Sequence, residues 1–376
     1  MEHYLDNAAT TRVCDEAAEA AIHAMTTVYG NPSSTHTSGR TARSLLDLSR
    51  RKIASALGCD PFELVFTSCG TESDNWAILS GAESMRRKGL HVISSETEHD
   101  AVRKSLDELE SRGFEVTRLK PDTSGAVSID SLRSVIRPDT ILVSLMMVNN
   151  ETGSINDIAS VARAIRESGS SALLHTDAVQ AFLKVPFKAS ALGADLISIS
   201  GHKIHAPKGI GALYIRKGLH LKPYIIGGSQ EDGRRAGTEA LPLIAAFAAA
   251  CDAAAAEFKE YSPRLCGYRD KIIRSVSASI PSVKVNGGGA PHILNISLPG
   301  LKSEVLMNYL EAREIYVSKS SACKKGGRSH VLEAMDVDPR TIDASIRIGL
   351  SRLTTDEDIT ALCEGICAAW SSLAHF

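Results

Sequence analysis

The chain has 376 residues, of which 43% are hydrophobic and 23% are charged, and this is the usage of a soluble globular protein. Its length favours two domains, or one large α/β domain with an appendage. Because 42 Lys and Arg oppose 44 Asp and Glu, the formal net charge is −2. A global attraction to nucleic acid or to an anionic membrane is therefore not expected.

The N-terminus and the cysteines predict a cytoplasmic protein. The opening MEHYLDNAATT lacks the basic and apolar regions of a secretory signal. The most apolar segment, LPLIAAFAAACDAAAAEF, is rich in alanine and is interrupted by Pro242 and Asp252. We therefore expect a buried helix there and no membrane span. The eight cysteines include no CxxC pair, as expected where thiols stay reduced.

Short apolar runs alternate with helical patterns between about residue 40 and residue 250. These runs are LVF at 64–66, HVIS at 91–94, ILVSLMMV at 141–148, ALL at 172–174, LISIS at 196–200 and GALYIR at 211–216. Between them, segments such as DIASVARAIRES place apolar residues on one helical face. Apolar strands separated by amphipathic helices predict an α/β fold with a mostly parallel sheet covered on both faces.

Polar segments follow five of these runs, and they are TSCGTESDN, SETEHD, NNETG, HTDAVQ and GHKIHAPKG. In parallel sheets, ligands bind beyond the carboxyl ends of the strands. The five loops therefore predict one site at one edge of the sheet. Its candidate residues are Thr71, His99, Asn150, Asp177, Gln180, Ser200, His202 and Lys203.

From about residue 255 the pattern changes and predicts a smaller α+β unit. This unit contains the segment SKSSACKKGGRSH at 318–330, in which Cys323 is followed by Lys324, Lys325 and Arg328. Neighbouring cations lower the pKa of a thiol and so favour the nucleophilic thiolate. The segment is either the loop of a reactive cysteine or an ordinary basic turn.

The TSCGTESDN segment predicts the start of a helix. Thr71 and Asp74 have the spacing of a capping box, and Gly70 permits a close approach of the backbone. A helix N-terminus with small residues can bind phosphate, although a simple helix cap explains the same pattern.

The last two of the five polar segments, HTDAVQ and GHKIHAPKG, contain side chains that could bind pyridoxal 5′-phosphate (PLP). A lysine just past a buried strand can form a Schiff base, for which Lys203 is the candidate and Lys208 a competitor. Asp177 could hold a pyridinium nitrogen protonated. His202 and His205 lack further ligands at metal-binding spacing, so no metal is predicted.

These residues lie in motifs through which the chain resembles the cysteine desulfurases, PLP enzymes of the class V aminotransferase group. The motifs are YLDNAATT, GNPSS, VFTSCGTESDN, TEH, VNNETG, SGHKIHAPKGIGALY, RRAGTE, SSAC and SIRIGLSR, and they span nearly the whole chain. SGHK and the cysteine loop resemble group I, the nitrogen-fixation and iron-sulfur-cluster type.

The resemblance implies a fold-type-I architecture like that of aspartate aminotransferase. A large PLP-binding domain over residues 16–255 would contain a mostly parallel, seven-stranded sheet. Residues 1–15 and 256–376 would form a small domain that carries the cysteine loop at about 318–330.

The resemblance also implies a role for each site residue and selects Lys203 over Lys208 as the Schiff-base lysine. The phosphate would be held by Gly70, Thr71, Ser200 and His202, and by Thr238 from the neighbouring subunit of a homodimer. On the cofactor ring, Asp177 would pair with the pyridine nitrogen and Gln180 with the hydroxyl, while His99 would stack on the ring and assist proton transfer. The substrate carboxylate would be fixed by Arg347 and by Asn150, which would also contact the cofactor. Arg347 alternates with Ile346 and Ile348, so it is expected to point away from the core face.

The activity implied is the conversion of L-cysteine to L-alanine, with Cys323 taking the sulfur as a persulfide. The sulfur would pass to an acceptor protein for tRNA thiolation, iron-sulfur cluster assembly or thio-cofactor synthesis. Lys319 and Ser320 replace a serine and a glycine of the usual loop, and the segment after Cys323 is shorter than in the iron-sulfur-cluster branch and more basic. This segment would either deliver sulfur to a tRNA-thiolating acceptor or be a solvated basic turn that lowers the pKa of the thiol. The alternatives are a selenocysteine lyase, another class V aminotransferase or epimerase, or a non-enzymatic accessory protein.

Overall fold

The computed structural model describes residues 2–319 and 327–374, so the predicted nucleophile Cys323 lies outside the described residues. Within these ranges the strands are β1 (His3–Tyr4), β2 (Leu64–Thr67), β3 (His91–Ser95), β4 (Glu115–Leu119), β5 (Thr140–Ser144), β6 (Leu173–Asp177), β7 (Leu196–Ser200), β8 (Gly211–Ile215), β9 (Lys284–Val285), β10 (Ile293–Ser297), β11 (Ile315–Tyr316), β12 (Ser318–Lys319) and β13 (Ser345–Gly349).

The α-helices of the described residues connect and cover these strands. They are α1 (Asp15–Thr26), α2 (Thr37–Leu57), α3 (Gly70–Asn75), α4 (Gly81–Met85), α5 (Asp100–Ser111), α6 (Ile129–Val135), α7 (Ile158–Glu167), α8 (Ala189–Leu192), α9 (Leu241–Ser279), α10 (Ser303–Glu311), α11 (His330–Ala334), α12 (Pro339–Asp343) and α13 (Asp356–Ser372). A π-helical turn, Trp76–Ser80, joins α3 to α4.

Seven strands form one large sheet in the order β2-β8-β7-β6-β5-β3-β4. β8 pairs antiparallel with both β2 and β7, whereas the remaining neighbours pair in parallel. Six strands therefore share one direction, and the predicted mostly parallel, seven-stranded sheet is confirmed. Their carboxyl ends meet at one edge, where the predicted site lies.

Neighbouring residues of these strands pack into different hydrophobic clusters. Phe66, for example, belongs to a cluster with α1, α2, α7 and α9, whereas Val65 packs with Trp76. In the same way, Ile93 and Val143 belong to the first cluster, whereas their neighbours Val92 and Leu142 belong to a third cluster. Because successive side chains of a strand point to opposite faces, the sheet is buried on both faces, as the apolar runs indicate.

A second, antiparallel sheet has the order β12-β13-β10-β9, and β1 pairs in parallel with β11. The apolar residues of the four-stranded sheet pack with the second half of α9 and with α10 and α13. The predicted domain boundary at residue 255 falls within the continuous helix α9, so the division into domains stays a prediction.

Among the described residues, α9 is the one helix long and apolar enough to cross a membrane. Its buried side chains, Phe247 and Ile272 among them, lie in the two cores, as expected of a core helix.

Candidate active site

A cavity of about 310 Å³ lies at the carboxyl edge of the large sheet. Ten of the twelve residues singled out from the sequence line it, and they are Gly70, Thr71, His99, Asn150, Asp177, Gln180, Ser200, His202, Lys203 and Arg347. Of the other two, Thr238 is exposed in the single chain and Cys323 is not described. A larger cavity, about 780 Å³, lies against α2, α8 and α9 and contains none of these residues.

The helix that borders one end of the cavity begins one residue before the predicted cap. Cys69 is the N-cap of α3 and makes no side-chain cap hydrogen bond, so the predicted capping box of Thr71 and Asp74 is wrong. Thr71 lies in the first turn instead, and Asp74 turns inward, where its side chain is buried. Gly70 and Thr71 of this helix start line the cavity, and no side chain caps the helix, which suits an anionic ligand.

The same end has the shape and the polar atoms that a phosphate group needs. A Cβ atom at Gly70 would lie 2.7 Å from Val179 Cγ2, so a larger residue would fill this cradle. Ser200 Oγ is buried and has no hydrogen-bond partner among the described residues. Because buried hydroxyls are rarely left unpaired, Ser200 fits the phosphate of PLP as its missing partner.

His202 lies beside this end and is neutral. Its Nδ1 atom is 3.1 Å from Thr10 Oγ1. Burial, together with the cations of Lys203 and Lys184, lowers the pKa of His202 to about 3. The imidazole can therefore supply a hydrogen bond to the cavity but no charge.

Lys203 follows β7 in a single 3-10 turn, Gly201–Lys203. Its ammonium group donates hydrogen bonds of 2.7 Å to the carbonyl oxygens of Ala8 and Ala9. The competing Lys208 is exposed and borders a different cavity. This placement favours Lys203 as the Schiff-base lysine.

Asp177 ends strand β6 next to two other buried titratable groups. Burial first, and then the nearby charge of Asp74, raise the pKa of Asp177 to about 7. His175 Nε2 lies 3.5 Å from Asp74 Oδ1, but burial lowers the pKa of His175 to about 4, so the contact involves a neutral imidazole. A cationic ring nitrogen opposite Asp177 would supply the counter-charge that this carboxyl group lacks.

His99 is the N-cap of α5, and its Nδ1 atom accepts a hydrogen bond of 3.1 Å from Ala101 N–H. Because Nδ1 accepts, the proton of the neutral imidazole is on Nε2. The helix cap therefore fixes which ring nitrogen can exchange a proton.

Arg347 is on β13 between Ile346 and Ile348, which pack in the second core, and it points the other way into the cavity, as its position predicts. Its Nη1 donates to Asn150 O at 3.0 Å and its Nη2 to Asp6 Oδ1 at 2.9 Å. The Nε–H is buried and has no partner among the described residues. These two contacts use two of the five guanidinium N–H donors, so Nε–H is among the donors left for a ligand.

Several buried residues around the cavity are missed by the sequence analysis. Glu98 Oε1 accepts hydrogen bonds from Ser95 Oγ and Met146 N–H, and burial raises the pKa of Glu98 to about 8. Burial also raises the pKa of Glu151 to about 7, and Ser329 Oγ donates to this carboxyl group. Each glutamate adjoins a predicted site residue, and that adjacency is the signal by which the sequence could have indicated them.

The fold and the site together define an α/β protein with a lysine and an aspartate at the carboxyl edge of a mostly parallel sheet. The family model described as Aminotransferase class-V matches residues 3–362. A relative named cysteine desulfurase IscS, from Methanosarcina thermophila, is 43% identical over 366 residues, which are 96% of this chain and 90% of that protein.

Two solved structures are similar over most of the chain. One, titled NifS-like protein, has a TM-score of 0.93 and 36% identity, and the match covers 99% of this chain and 100% of the other. The second, titled SspA in complex with cysteine, has a TM-score of 0.82 and 32% identity and covers 94% of this chain and 100% of the other. The chain belongs to the class-V aminotransferase family and, within it, to the cysteine desulfurases, which favours that prediction over the alternative enzymes.

Proposed function

We propose that this protein is a PLP-dependent cysteine desulfurase, which converts L-cysteine to L-alanine and transfers the sulfur to Cys323 as a persulfide. The observation that carries the proposal is the single cavity at the sheet edge, which gathers ten residues from distant parts of a chain of this family. A similar solved structure is titled as a complex with cysteine, which supports the choice of substrate.

The residues at the two ends of the cavity fit PLP. Ser200 Oγ, His202 and the backbone at Gly70 and Thr71 would hold its phosphate, and Asp177 would pair with its ring nitrogen. When bound, PLP would supply an electron sink for bond making and bond breaking at the amino-acid substrate. Lys203 would provide the amine that binds the cofactor covalently.

Two residues would bind and orient the substrate and move its proton. Arg347 would fix the substrate carboxylate, because a guanidinium matches a carboxylate with parallel hydrogen bonds and its Nε–H has no protein partner among the described residues. His99 would stack on the ring and exchange a proton through Nε2, the nitrogen that the helix cap leaves available.

Cys323 would accept the sulfur. Its thiolate would form a bond with the substrate sulfur while the carbon–sulfur bond breaks, and the remaining three-carbon unit would take up a proton and leave as alanine. The cations Lys324, Lys325 and Arg328 follow Cys323 in the sequence and would favour the thiolate. The persulfide would then pass to an acceptor protein in the cytoplasm, either a tRNA-thiolating enzyme or an iron-sulfur scaffold.

The site would be completed by a second copy of the chain, with Thr238 of each subunit reaching the phosphate held by the other. Thr238 is exposed in the single chain, as a residue that acts across an interface must be. The large apolar side chains exposed on the single chain include Tyr29 and Ile226, at 75% and 89% exposure, which supports burial against a partner.

A hybrid-dimer experiment tests the shared site. Lys203→Ala and Thr238→Arg are each expected to abolish activity as pure proteins. Random mixing of the two chains makes half of the dimers hybrid, and one of the two sites in each hybrid has an intact Lys203 and an intact Thr238. Activity near one quarter of the parent value is therefore expected, whereas a mixture as inactive as its components would exclude the shared site.

The proposed activity is tested by measuring alanine formed from L-cysteine by the PLP-loaded protein, with a reductant present, beside Cys323→Ala. Alanine from the parent alone is the expected result. If both proteins bind PLP and neither forms alanine, cysteine desulfuration is excluded. If both proteins form alanine equally, Cys323 is not the sulfur acceptor.

A further inference from the structure

Lys184 is a lysine buried beneath the candidate active site that the proposed reaction does not use. It is 6% exposed, and among the described residues no carboxylate forms an ion pair with it. The groups that act on it are the cations of Lys203 and Arg347, and beside it lies His292, which burial keeps neutral. A buried lysine without a counter-charge costs free energy, so a role in the site is a reasonable expectation.

The contact of Lys184 is to Gln180, a residue that lines the cavity. Lys184 Nζ donates to Gln180 Oε1 at 3.3 Å, and Gln180 Nε2 donates to Ala8 O at 2.9 Å. A protonated lysine can only donate, and a backbone carbonyl can only accept. The two partners therefore fix the orientation of the amide, with its oxygen toward Lys184 and its nitrogen toward Ala8.

This orientation determines what Gln180 offers to a ligand. Its Nε2 carries two hydrogens, and one of them is taken by Ala8 O. The second hydrogen leaves Gln180 a donor toward the cavity that it lines. An amide turned the other way would bring its oxygen toward Ala8 O and would lose both hydrogen bonds.

The same carbonyl also links Gln180 to the reactive lysine. Ala8 O accepts from Gln180 Nε2 and from Lys203 Nζ, and each of these contacts is shorter than 3.0 Å. A carbonyl oxygen has two lone pairs and can accept both. Lys184, Gln180, Ala8 and Lys203 thus form one connected chain of hydrogen bonds.

We propose that Lys184 is a positioning residue, which holds the Gln180 amide so that its N–H donates to the ring hydroxyl oxygen of the cofactor. This inference rests on the proposed PLP site. It predicts that the hydrogen-bonding effect of Lys184 on the cofactor passes through Gln180, because Lys184 does not line the cavity itself. The charge of Lys184 acts in addition on Lys203 and His202.

A double-mutant cycle tests this dependence. The four proteins of the cycle are the parent, Lys184→Met, Gln180→Ala and the double variant. The matched control is Lys188→Met, because Lys188 is four residues further along the chain and lies away from the cavity. Two quantities are measured for each: the dissociation constant of PLP from titration of the apoprotein, and the midpoint of the pH titration of the visible absorption band of the bound cofactor. A thermal unfolding transition of each apoprotein shows whether the variant is folded. If Lys184→Met does not fold, Lys184→Leu is used in its place.

We expect Lys184→Met to weaken PLP binding about tenfold and to shift the midpoint upward, because an oxyanion on the ring loses one donor. In the Gln180→Ala background the same change should have a clearly smaller effect on both quantities, because only the charge of Lys184 acting on Lys203 and His202 is then lost. An equal effect in both backgrounds, or none in the parent background, would overturn the inference. Failure of the parent itself to bind PLP would instead overturn the proposed function, so the two failures are distinguishable.

Discussion

Arg235 forms a two-bond ion pair with Glu72, with Nε 2.9 Å from Oε1 and Nη2 3.1 Å from Oε2. Glu72 lies in α3, the helix at the end of the cavity where we propose that the phosphate binds, and Arg235 lies three residues before Thr238. Glu72 also accepts a hydrogen bond from Ser68 N–H at 2.7 Å. The pair therefore ties the segment that carries Thr238 to the helix that would hold the phosphate.

Glu72→Gln should weaken PLP binding, because it removes one half of this pair and releases the segment before Thr238. Burial alone would raise the pKa of Glu72, but the hydrogen bonds from Arg235 and Ser68 lower it overall, so the native pair is ionised. We expect the free energy of unfolding to fall by about 2 kcal/mol, the usual scale of a hydrogen bond to a charged group. The PLP dissociation constant and urea unfolding curves check this.

The matched control is Glu108→Gln, which breaks the exposed pair of Glu108 and Arg112. An exposed pair contributes little, and a change within about 0.5 kcal/mol is expected. Equal effects of the two substitutions would contradict the role of Glu72.

Gly70→Ala should reduce the affinity for PLP about tenfold, because overpacking a tight site costs one to three kcal/mol. The added Cβ would lie 2.7 Å from Val179 Cγ2 and 3.5 Å from Ser200 Cβ. The control is Gly81→Ala in α4, where the nearest atom to the added Cβ is Leu196 Cδ1 at 3.5 Å, an ordinary contact. If both variants retain PLP like the parent, the phosphate does not lie at Gly70.

Arg347→Lys should raise the KM for L-cysteine by about tenfold to a hundredfold, since lysine cannot supply the paired donors of a guanidinium. PLP binding, measured by the visible absorption of the cofactor, should stay unchanged. The exposed Arg313, changed to lysine, serves as the control and should leave KM as it is. A lower kcat with an unchanged KM would assign Arg347 to another step.

The stability of the apoprotein at high pH should distinguish Lys184→Met from the parent. Burial, followed by the cations of Lys203 and Arg347, lowers the pKa of Lys184 from 10.5 to about 7 in the folded chain. Between these two pH values the unfolded chain binds one proton more than the folded chain. The parent therefore loses about 1.4 kcal/mol per pH unit from this group as the pH falls from 10.5 toward 7.

Lys184→Met lacks this loss, so its free energy of unfolding relative to the parent should increase as the pH falls through that window. Titrating groups that do not interact with Lys184 are common to both proteins and cancel in the difference. Urea unfolding at several pH values between 7 and 10 measures it. A difference that does not change with pH would mean that Lys184 keeps its usual pKa in the folded chain.

The sequence by itself determined the strands with continuous apolar runs, since burial on both faces of a sheet requires such runs. It also determined which polar residues follow those strands, and the eight candidates among them line one cavity. β4 was missed because this edge strand is mostly exposed or half-buried and has no apolar run. The antiparallel direction of β8 was not predicted either, because an apolar run is the same whichever way a strand points.

Only the tertiary structure decided which charged side chains are buried. In the sequence Lys184 follows AFL as an ordinary helix-end or turn lysine, and Asp74 has the spacing of an exposed cap. Packing against segments far along the chain buries both residues, shifts the pKa of each and connects Lys184 to Gln180. The physical reason is that desolvation and hydrogen-bond partners depend on residues distant in sequence, which local pattern does not encode.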